Sequence, residues 1–273
     1  MVQGPAVGAA AVALCALALS ACTNSSPESA PEAATRLQKA VSATTAAGTV
    51  RFTTTAAVSV STVSQPPTTT AGVSSLDGSR SVTTARLPDG LVGSSRTFDL
   101  QLVVVEPKVW FTFPQAAHDG LPGWGTASTA AARSAADLTL PAVWRLPDWL
   151  ASLEHVGDVA DAGASTVAGA PTTRFTATLP RERDAIGVSL GSFVGGATDA
   201  RTETVPVQVW VDDLGRVVRI VESWELASGS GAVLTESVTI ELGEFGTPVV
   251  PRPPTGHGQD VTPGQLLVLA STP

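Results

Sequence analysis

The first pattern in the chain is an alternation of apolar and polar residues that begins after Gly48 and is typical of strands with one buried face. The stretch "TVRFTTTAAVSV" places Val50, Phe52 and Val58 on one side of such a strand. "RTFDLQLVVVEPKVWFTFP" predicts two further strands that break at Glu106-Pro107, and "TVPVQVWVDDLGRVVRIVESWELA" predicts a hairpin. Because the connections are short, neighbouring strands are expected to run antiparallel.

Pairs of turn-forming residues separate the alternating stretches. Asp77-Gly78 and Asp89-Gly90 are typical of tight hairpins, and Gly215 can supply the positive φ that a hairpin after Asp212-Asp213 requires. "PTTRFTATLP" and "GAVLTESVTIELGEFG" predict additional strands before and after that hairpin. The predicted elements are therefore mostly strands of one large antiparallel sheet.

Helical periodicity is confined to two short segments. Residues 33–46 predict an amphipathic helix. Trp149, Leu150 and Leu153 lie at helical spacing after Asp148, which we expect to be the N-cap of a second helix. Many strands, few helices and no internal repeat predict an α+β fold, in which helices or a ligand cover the inner face of the sheet.

The N-terminal segment, residues 4–19, is apolar and ends in small residues, as a secretory signal does. The tetrapeptide Leu19-Ser20-Ala21-Cys22 resembles the bacterial lipobox, in which a peptidase cuts before a cysteine that has received a diacylglycerol. This resemblance implies that Cys22 becomes the lipidated N-terminus and that Cys15 is removed. The alternative is a membrane-spanning helix with an incidental cysteine, which the weak membrane insertion of an Ala-rich segment disfavours.

These features divide the chain into four parts. We expect a signal peptide at 1–21, a lipidated flexible tether at 22–33, a single domain at 34–248 and a Pro/Gly-rich tail at 249–273. Two acyl chains bury methylene groups at about 0.8 kcal/mol each, enough to hold the domain at the outer face of the cell membrane.

Composition narrows the function classes. The chain of 273 residues has a net charge of −8, with 15% charged residues and no cluster of Lys or Arg. Nucleic-acid binding is therefore not expected, because that affinity comes largely from neutralising phosphates. No cysteine follows Cys22, which excludes a disulfide, thiol catalysis and a cysteine-bound zinc from the rest of the chain.

No residue pattern predicts a metal, a cofactor or an enzyme. His118, His155 and His257 lie in dissimilar contexts without the spacing of metal ligands. Gly187-Val188-Ser189-Leu190-Gly191 matches a nucleophile elbow, and Asp212 and His257 follow it in hydrolase order. The elbow needs a buried strand before Ser189 and a helix after it, and the flanking residues predict neither. A surface esterase is therefore the least favoured hypothesis.

The tryptophans are the apolar residues with the most distinctive placement. Two lie beside the second predicted helix, one in the loop before it and three on predicted strands: Trp144, Trp149, Trp124, Trp110, Trp210 and Trp224. They either pack in an ordinary core or line an apolar pocket, with 121–153 as its lid or mouth. Periodicity does not decide between a filled core and a cavity.

Three longer stretches share their order with one known family. "LEHVGDVADAGASTVAGAPTTRFTATLP" is similar to that family's helix followed by a strand pair, and "VPVQVWVDDLGRVVRIVES" is similar to its hairpin. "EFGTPVVPRPP" is similar to its closing segment. Together with the lipobox at Cys22, residues 34–252 resemble the actinobacterial lipoproteins of the LppX/LprG type. These are related in fold to the periplasmic carrier of outer-membrane lipoproteins.

This resemblance implies a strongly curved antiparallel half-barrel with helices on its concave face and no catalytic residues. It also implies an apolar cavity that accepts the acyl chains of an envelope glycolipid or lipoglycan, which the protein carries or presents. The side chains expected to line it are Val50, Phe52, Val58, Leu102, Val104, Phe111, Phe113, Trp149, Leu150, Leu153, Val209 and Ile220, with Val207, Val211 and Val218 beside them. A one-residue error in register would invert the contribution of any strand.

The expected partners are the membrane, through lipidated Cys22, the envelope lipid and a membrane transporter, and the protein itself is expected to be a monomer. A protein of the same fold with a filled core would instead be a protein-interaction or sensory module. A lipid in the purified protein, or an interior cavity well beyond about 1,000 Å³, would distinguish a carrier from such a module.

Overall fold

The computed structural model describes residues 29–60, 63–64, 66–88, 97–114, 123–130, 146–180, 204–227, 233–255 and 259–260. The helices with described bounds are α1 (Ala30–Ala46) and α2 (Leu146–Ser152), and α2 continues into a 3-10 turn at Leu153–His155. The strands are β1 (Thr49–Val60), β2 (Val63–Ser64), β3 (Thr68–Ser75), β4 (Arg80–Pro88), β5 (Thr97–Val105), β6 (Lys108–Thr112), β7 (Gly125–Ser128), β8 (Gly157–Val167), β9 (Ala170–Pro180), β10 (Thr204–Asp212), β11 (Val217–Ala227), β12 (Val233–Gly243) and β13 (Gln259–Asp260). None of the described helices has the length and hydropathy that crossing a membrane requires.

All these strands belong to one sheet, in the order β13-β7-β6-β5-β4-β3-β1-β12-β11-β10-β9-β8, with β2 paired to β1. β1 lies between two meanders, because it pairs with both β3 and β12. The first meander consists of β3–β7 and the second of β8–β12. The long strands are antiparallel to their neighbours, whereas β13 lies parallel to β7. The α+β fold with a large, curved antiparallel half-barrel that the sequence predicts is confirmed.

One face of the sheet, called here the inner face, carries the hydrophobic core. On β1, Val50, Phe52 and Ala56 are at most 7% exposed, whereas the alternate residues Arg51 and Thr53 are exposed on the opposite, outer face. The inner faces of both meanders join residues of α1 and α2 in one hydrophobic cluster. The helices therefore lie on the concave side of the half-barrel.

Helix α1 begins at Ala30, earlier than the predicted 33–46. The Glu32 carboxylate accepts hydrogen bonds from the backbone N–H and the hydroxyl of Ser29, a capping arrangement at the N-terminus of the helix. Pro31 fits the first turn, where its missing N–H needs no partner. The last residues of the predicted tether, 30–33, thus form the first turn of α1.

Contacts at both ends place α1 over the second meander. Arg36 forms an ion pair with Asp161 of β8 at 2.9 Å, and its guanidinium lies 5.1 Å from the centre of the Phe175 ring on β9. Near the other end of the helix, the Thr44 hydroxyl accepts a 2.8 Å hydrogen bond from the backbone N–H of Val217 on β11. The helix therefore covers the inner face of β8–β11.

Thr44→Val is expected to lower the free energy of unfolding by about 1–3 kcal/mol, because it leaves the buried N–H of Val217 without its acceptor. Urea unfolding of the full-length protein measures the change. The control is Thr45→Val, since the Thr45 hydroxyl donates to the Val41 carbonyl within the same helix. Equal losses of stability in the two variants would contradict this role of Thr44.

The predicted turn at Asp77-Gly78 is confirmed between β3 and β4, and Gly78 has φ 75°. The Asp77 carboxylate accepts hydrogen bonds from the Ser75 hydroxyl at 2.6 Å and from the Ser79 N–H at 2.9 Å. These bonds stabilise the ionised carboxylate and lower the pKa of Asp77 from 3.8 to about 2.

Asp77→Asn is expected to remove a contribution to stability that exists at neutral pH and disappears in acid. Because folding lowers the pKa of Asp77, the contribution is present above pH 3.8 and is lost as the pH falls toward 2. Asp77 is exposed, and solvent screening limits the effect to about 1 kcal/mol. Urea unfolding should show this difference in the free energy of unfolding between wild type and variant at neutral pH, and no difference near pH 2, the folded-state pKa of Asp77. A gap that does not change with pH would contradict the assignment.

Two local features differ from the prediction. Asp148 is not the N-cap of α2, because the helix begins at Leu146 with Pro147 in its first turn, and Asp148 follows inside that turn. No pattern in the sequence predicts β7, since "GTAS" contains no alternation of large apolar residues. The predicted turn at Asp89-Gly90 lies outside the described residues.

Candidate functional site

The side chains expected to line a cavity lie together on the inner face and on α2. Those that the structure describes are at most 3% exposed and belong to one hydrophobic cluster: Val50, Phe52, Leu102, Val104, Phe111, Phe113, Trp149, Leu150, Leu153, Val209 and Ile220. Val207 and Val211 are buried in the same cluster, and Val218 is half-buried. Val58 lies on β1 opposite Glu236 of β12, and its side chain is outside the described part of the chain.

The two halves of the inner face differ in what covers them. Helix α1 makes its closest backbone contacts with β8 and also approaches β11, while α2 packs on α1. Within the described part of the chain, neither helix approaches β3–β6 as closely. The inner face of β5 and β6 is nevertheless buried, since Leu100 and Phe111 are both 0% exposed. The backbones of the described helices therefore lie nearer to the second meander than to the first, although side chains of both meanders join the same hydrophobic cluster.

Where β1 meets the first meander, hydroxyl groups replace hydrocarbon on the inner face. Thr54 on β1, Thr70 on β3, and Ser81 and Thr83 on β4 are 3–6% exposed. Thr54 lies directly opposite Thr70, and the other two follow on the next strand. Among the residues that the structure describes, none supplies a hydrogen-bond partner for any of these four hydroxyls. We call these four residues the hydroxyl patch.

The hydroxyl patch is neutral as well as buried. Apolar residues adjoin it on β5, where Leu102 lies opposite Thr83 and Val104 lies opposite Ser81. The described inner-face positions of β1 and β3–β6 carry no charged side chain, and the arginines of these strands are exposed on the outer face: Arg51, Arg80 and Arg86. The patch is therefore a set of uncharged donors and acceptors enclosed by hydrocarbon.

The second meander brings a buried carboxylate to the inner face, and sequence reasoning missed it. Glu222 on β11 is 2% exposed, and its neighbours in register are Val207 of β10 and Val238 of β12. Glu222 follows the inner-face residue Ile220 by two positions in an alternating stretch, and this spacing indicates that both side chains share the buried face. The neutral hydroxyls lie on β1, β3 and β4, whereas this acidic residue lies on β11, two strands beyond β1.

Gly72 on β3 keeps two strands close together beside the hydroxyl patch. A Cβ at this position would lie 2.5 Å from the carbonyl oxygen of Val82 and 2.8 Å from the Thr83 hydroxyl. Phe52 lies opposite Gly72 on β1. Only glycine fits this approach without displacing β3 from β4.

A separate apolar groove of about 450 Å³ lies on the outer face, over β3, β4 and β5. Val73, Val82 and Val103 lie side by side on these three strands and line the groove, and Trp124 borders it. Because these valines alternate with inner-face residues, the groove opens on the opposite side of the sheet from the hydrophobic cluster.

Of the described tryptophan side chains, Trp149 belongs to the inner cluster and is 3% exposed. Trp210 lies on the outer face, where its Nε1–H donates a 3.2 Å hydrogen bond to the Ser165 hydroxyl. Trp124, beside the outer groove, and Trp110, on β6, are half-buried. The side chains of Trp144 and Trp224 lie outside the described part of the chain. Trp149 is thus the described tryptophan that reports on the interior.

The residues considered for catalysis do not form a described site. Asp212 lies in the hairpin between β10 and β11, which the sequence predicts, and its carboxylate accepts a 2.7 Å hydrogen bond from the Arg216 guanidinium. His155 is exposed at the end of the 3-10 turn, and His118, Ser189 and His257 lie outside the described residues. Cys22, the predicted site of lipidation, and Cys15 also lie outside them. Within the described ranges, no three His, Cys, Asp or Glu side chains are grouped to hold a metal.

The described chain is an open, curved antiparallel half-barrel with helices on its concave face and one hydrophobic interior. The solved structure of LprF from Mycobacterium bovis has this fold, with a TM-score of 0.54, 18% identity, and coverage of 84% of this chain and 99% of that chain. The lipoprotein LppX from Mycobacterium tuberculosis is 16% identical, with a TM-score of 0.46 and coverage of 82% and 100%. No protein-family model and no curated protein sequence matches the chain. The resemblance to mycobacterial lipoproteins is confirmed as a likeness of fold.

Proposed function

We propose that the protein is a membrane-anchored, extracytoplasmic lipoprotein that binds the acyl chains of an envelope glycolipid or lipoglycan and carries or presents that lipid. The observation that carries the proposal is the hydrophobic cluster that extends over both halves of the inner face, with the backbone of the described helices nearer to the second meander than to the first. The likeness of fold to the mycobacterial lipoprotein LprF supports the same conclusion. Each methylene group buried there contributes about 0.8 kcal/mol, which makes acyl chains the natural ligand.

In this proposal Cys22 carries the lipid anchor, and the protein works as a monomer at the outer face of the cell membrane with a membrane transporter as its partner. Seven residues, 23–29, separate the anchor from α1. They reach at most about 25 Å when fully extended, so the domain stays beside the membrane from which the ligand would come.

The second candidate is an interaction or sensory module of the same fold. The predicted cavity residues that the structure describes are at most 3% exposed, as expected for a filled core, and this observation supports the second candidate. The carrier hypothesis requires the buried inner face of the first meander to open when a lipid enters, whereas the interaction module requires no such movement.

Fluorescence quenching by a diacyl lipid with brominated chains tests the proposal on the full-length protein in non-ionic detergent. Bromine quenches tryptophan at short range, so binding in the interior should quench Trp149 in a saturable way. Trp149→Phe should remove most of this quenching, and the control Trp210→Phe should retain it. No saturable quenching, or quenching that Trp149→Phe leaves intact, would contradict binding in the interior.

A further inference from the structure

We propose that the hydroxyl patch binds the uncharged polar part of the acylated ligand, meaning its ester or glycosyl oxygens. The site would then select neutral acylated glycerols or sugars over free fatty acids and phospholipids. This inference rests on the proposed function, because it assigns a polar subsite within the same interior.

Burial without partners is the observation that requires an explanation. Buried polar groups in folded proteins are nearly always hydrogen-bonded, and a hydroxyl without a partner is destabilising. Thr54, Thr70, Ser81 and Thr83 are each more than nine-tenths buried, and their four hydroxyls find no partner in the described part of the chain. Ser74 on the same face differs, since its hydroxyl donates to the Ser75 carbonyl. A bound ligand with oxygen atoms would satisfy the four groups together.

The dimensions of the patch fit a compact polar group. Thr54 and Thr70 are directly opposite on β1 and β3, and Thr83 and Ser81 lie on the adjacent strand β4. Neighbouring strands are about 4.8 Å apart, so the patch spans about 10 Å across three strands. Along the strands it extends about 14 Å, because Thr83 lies one inward row beyond Thr70 and Ser81 lies two rows beyond it. This area suits a glycerol together with its ester groups, or a sugar ring together with the ester beside it. Leu102 and Val104 of β5 continue the surface as hydrocarbon, where acyl chains would lie.

The charges around the patch favour a neutral ligand. A hydroxyl can donate and accept, so it matches both ester carbonyls and sugar hydroxyls. A buried carboxylate or phosphate instead needs a cation, and the described inner-face positions of β1 and β3–β6 supply none.

The test compares three ligands on the full-length protein in non-ionic detergent: dioleoylglycerol, dioleoyl phosphatidate, which has the same two chains and a phosphate, and the hydrocarbon squalene, which has no oxygen. The wild type should bind dioleoylglycerol at least tenfold more tightly than dioleoyl phosphatidate. The double substitution Thr54→Val and Thr83→Val keeps the side-chain shape and removes two hydroxyls. It should weaken dioleoylglycerol binding at least tenfold, leave squalene binding unchanged and leave the unfolding midpoint unchanged or raised.

Matched variants separate the patch from general effects. Thr55→Val with Thr84→Val makes the same change on the same two strands at exposed positions and should alter no affinity. Thr83→Ser retains the hydroxyl and should bind dioleoylglycerol as the wild type does. Ser81→Ala gives an independent reading of the patch if the double variant does not fold, and should also weaken dioleoylglycerol binding but not squalene binding.

The outcomes distinguish this inference from the proposed function. Equal loss of squalene and dioleoylglycerol binding, or no loss of either, in the patch variants would overturn the polar subsite while leaving lipid binding intact. Equal or tighter binding of dioleoyl phosphatidate by the wild type would overturn the selection of neutral ligands. Binding of none of the three ligands would overturn the proposed function itself. Competition by monoglucosyl dioleoylglycerol that exceeds that of dioleoylglycerol would place sugar hydroxyls on the patch, and equal competition would place the glycerol esters there.

Discussion

Phe111→Ala is expected to lower the free energy of unfolding by about 3–5 kcal/mol, because it removes a ring from a closely packed interior and leaves a cavity. Phe111 on β6 is 0% exposed and lies opposite Leu102 on β5 and Gly125 on β7. The residue therefore holds the inner face together at the edge of the first meander. Urea unfolding of the full-length protein measures the loss.

Phe111→Leu is the matched control for that experiment. Leucine retains most of the apolar volume, so the loss should fall to less than about 1.5 kcal/mol. A loss below about 1 kcal/mol for Phe111→Ala would mean that the ring does not fill a packed interior, and the placement of the inner face on β6 would then be wrong.

Gly72→Ala is expected to destabilise the protein by about 3 kcal/mol, the upper part of the range for overpacking, because its Cβ would contact the backbone of β4. The Val82 carbonyl oxygen at 2.5 Å belongs to the main chain, so the strand itself has to shift. The shift also displaces Thr83, which belongs to the hydroxyl patch. Thermal and urea unfolding should both show the loss.

Gly243→Ala, at the end of β12, is the control for Gly72→Ala. A Cβ at Gly243 would have no heavy atom within 4 Å, and its φ is not in the left-handed region. This substitution should be neutral or stabilise the protein by about 0.4–1 kcal/mol through the unfolded chain. Similar effects at the two glycines would contradict the close approach of β3 to β4 at Gly72.

The alternation of apolar residues predicts most of the fold, because one-sided burial enforces a period of two. On β5 and β6, Leu102, Val104 and Phe111 share the inner face as the sequence predicts. Local chemistry that could have corrected the helix bounds is also visible in the sequence. Ser29 and Glu32 have the spacing of a capping box, and Pro147 is typical of a first helical turn.

The hydroxyl patch is not predictable from alternation, for a physical reason. In "TTTAGVSS" and "RSVTTARLP" threonine or serine occurs on both alternating sets of positions, so the sequence does not show which face of β3 and β4 is buried. Only the register, with Thr54 opposite Thr70 and Gly72 opposite Thr83, selects which hydroxyls face inward. Glu222 was missed because a glutamate within an apolar stretch is usually assigned to solvent.

Native mass spectrometry of the full-length protein from a bacterial host that lipidates Cys22 tests the central claim most directly. The expected result is one uncharged diacyl or triacyl lipid per chain, beyond the covalent lipid on Cys22, that disappears on organic extraction. The mass of the lipidated chain alone, with no uptake of added neutral acyl lipids, would contradict a carrier and favour the interaction module.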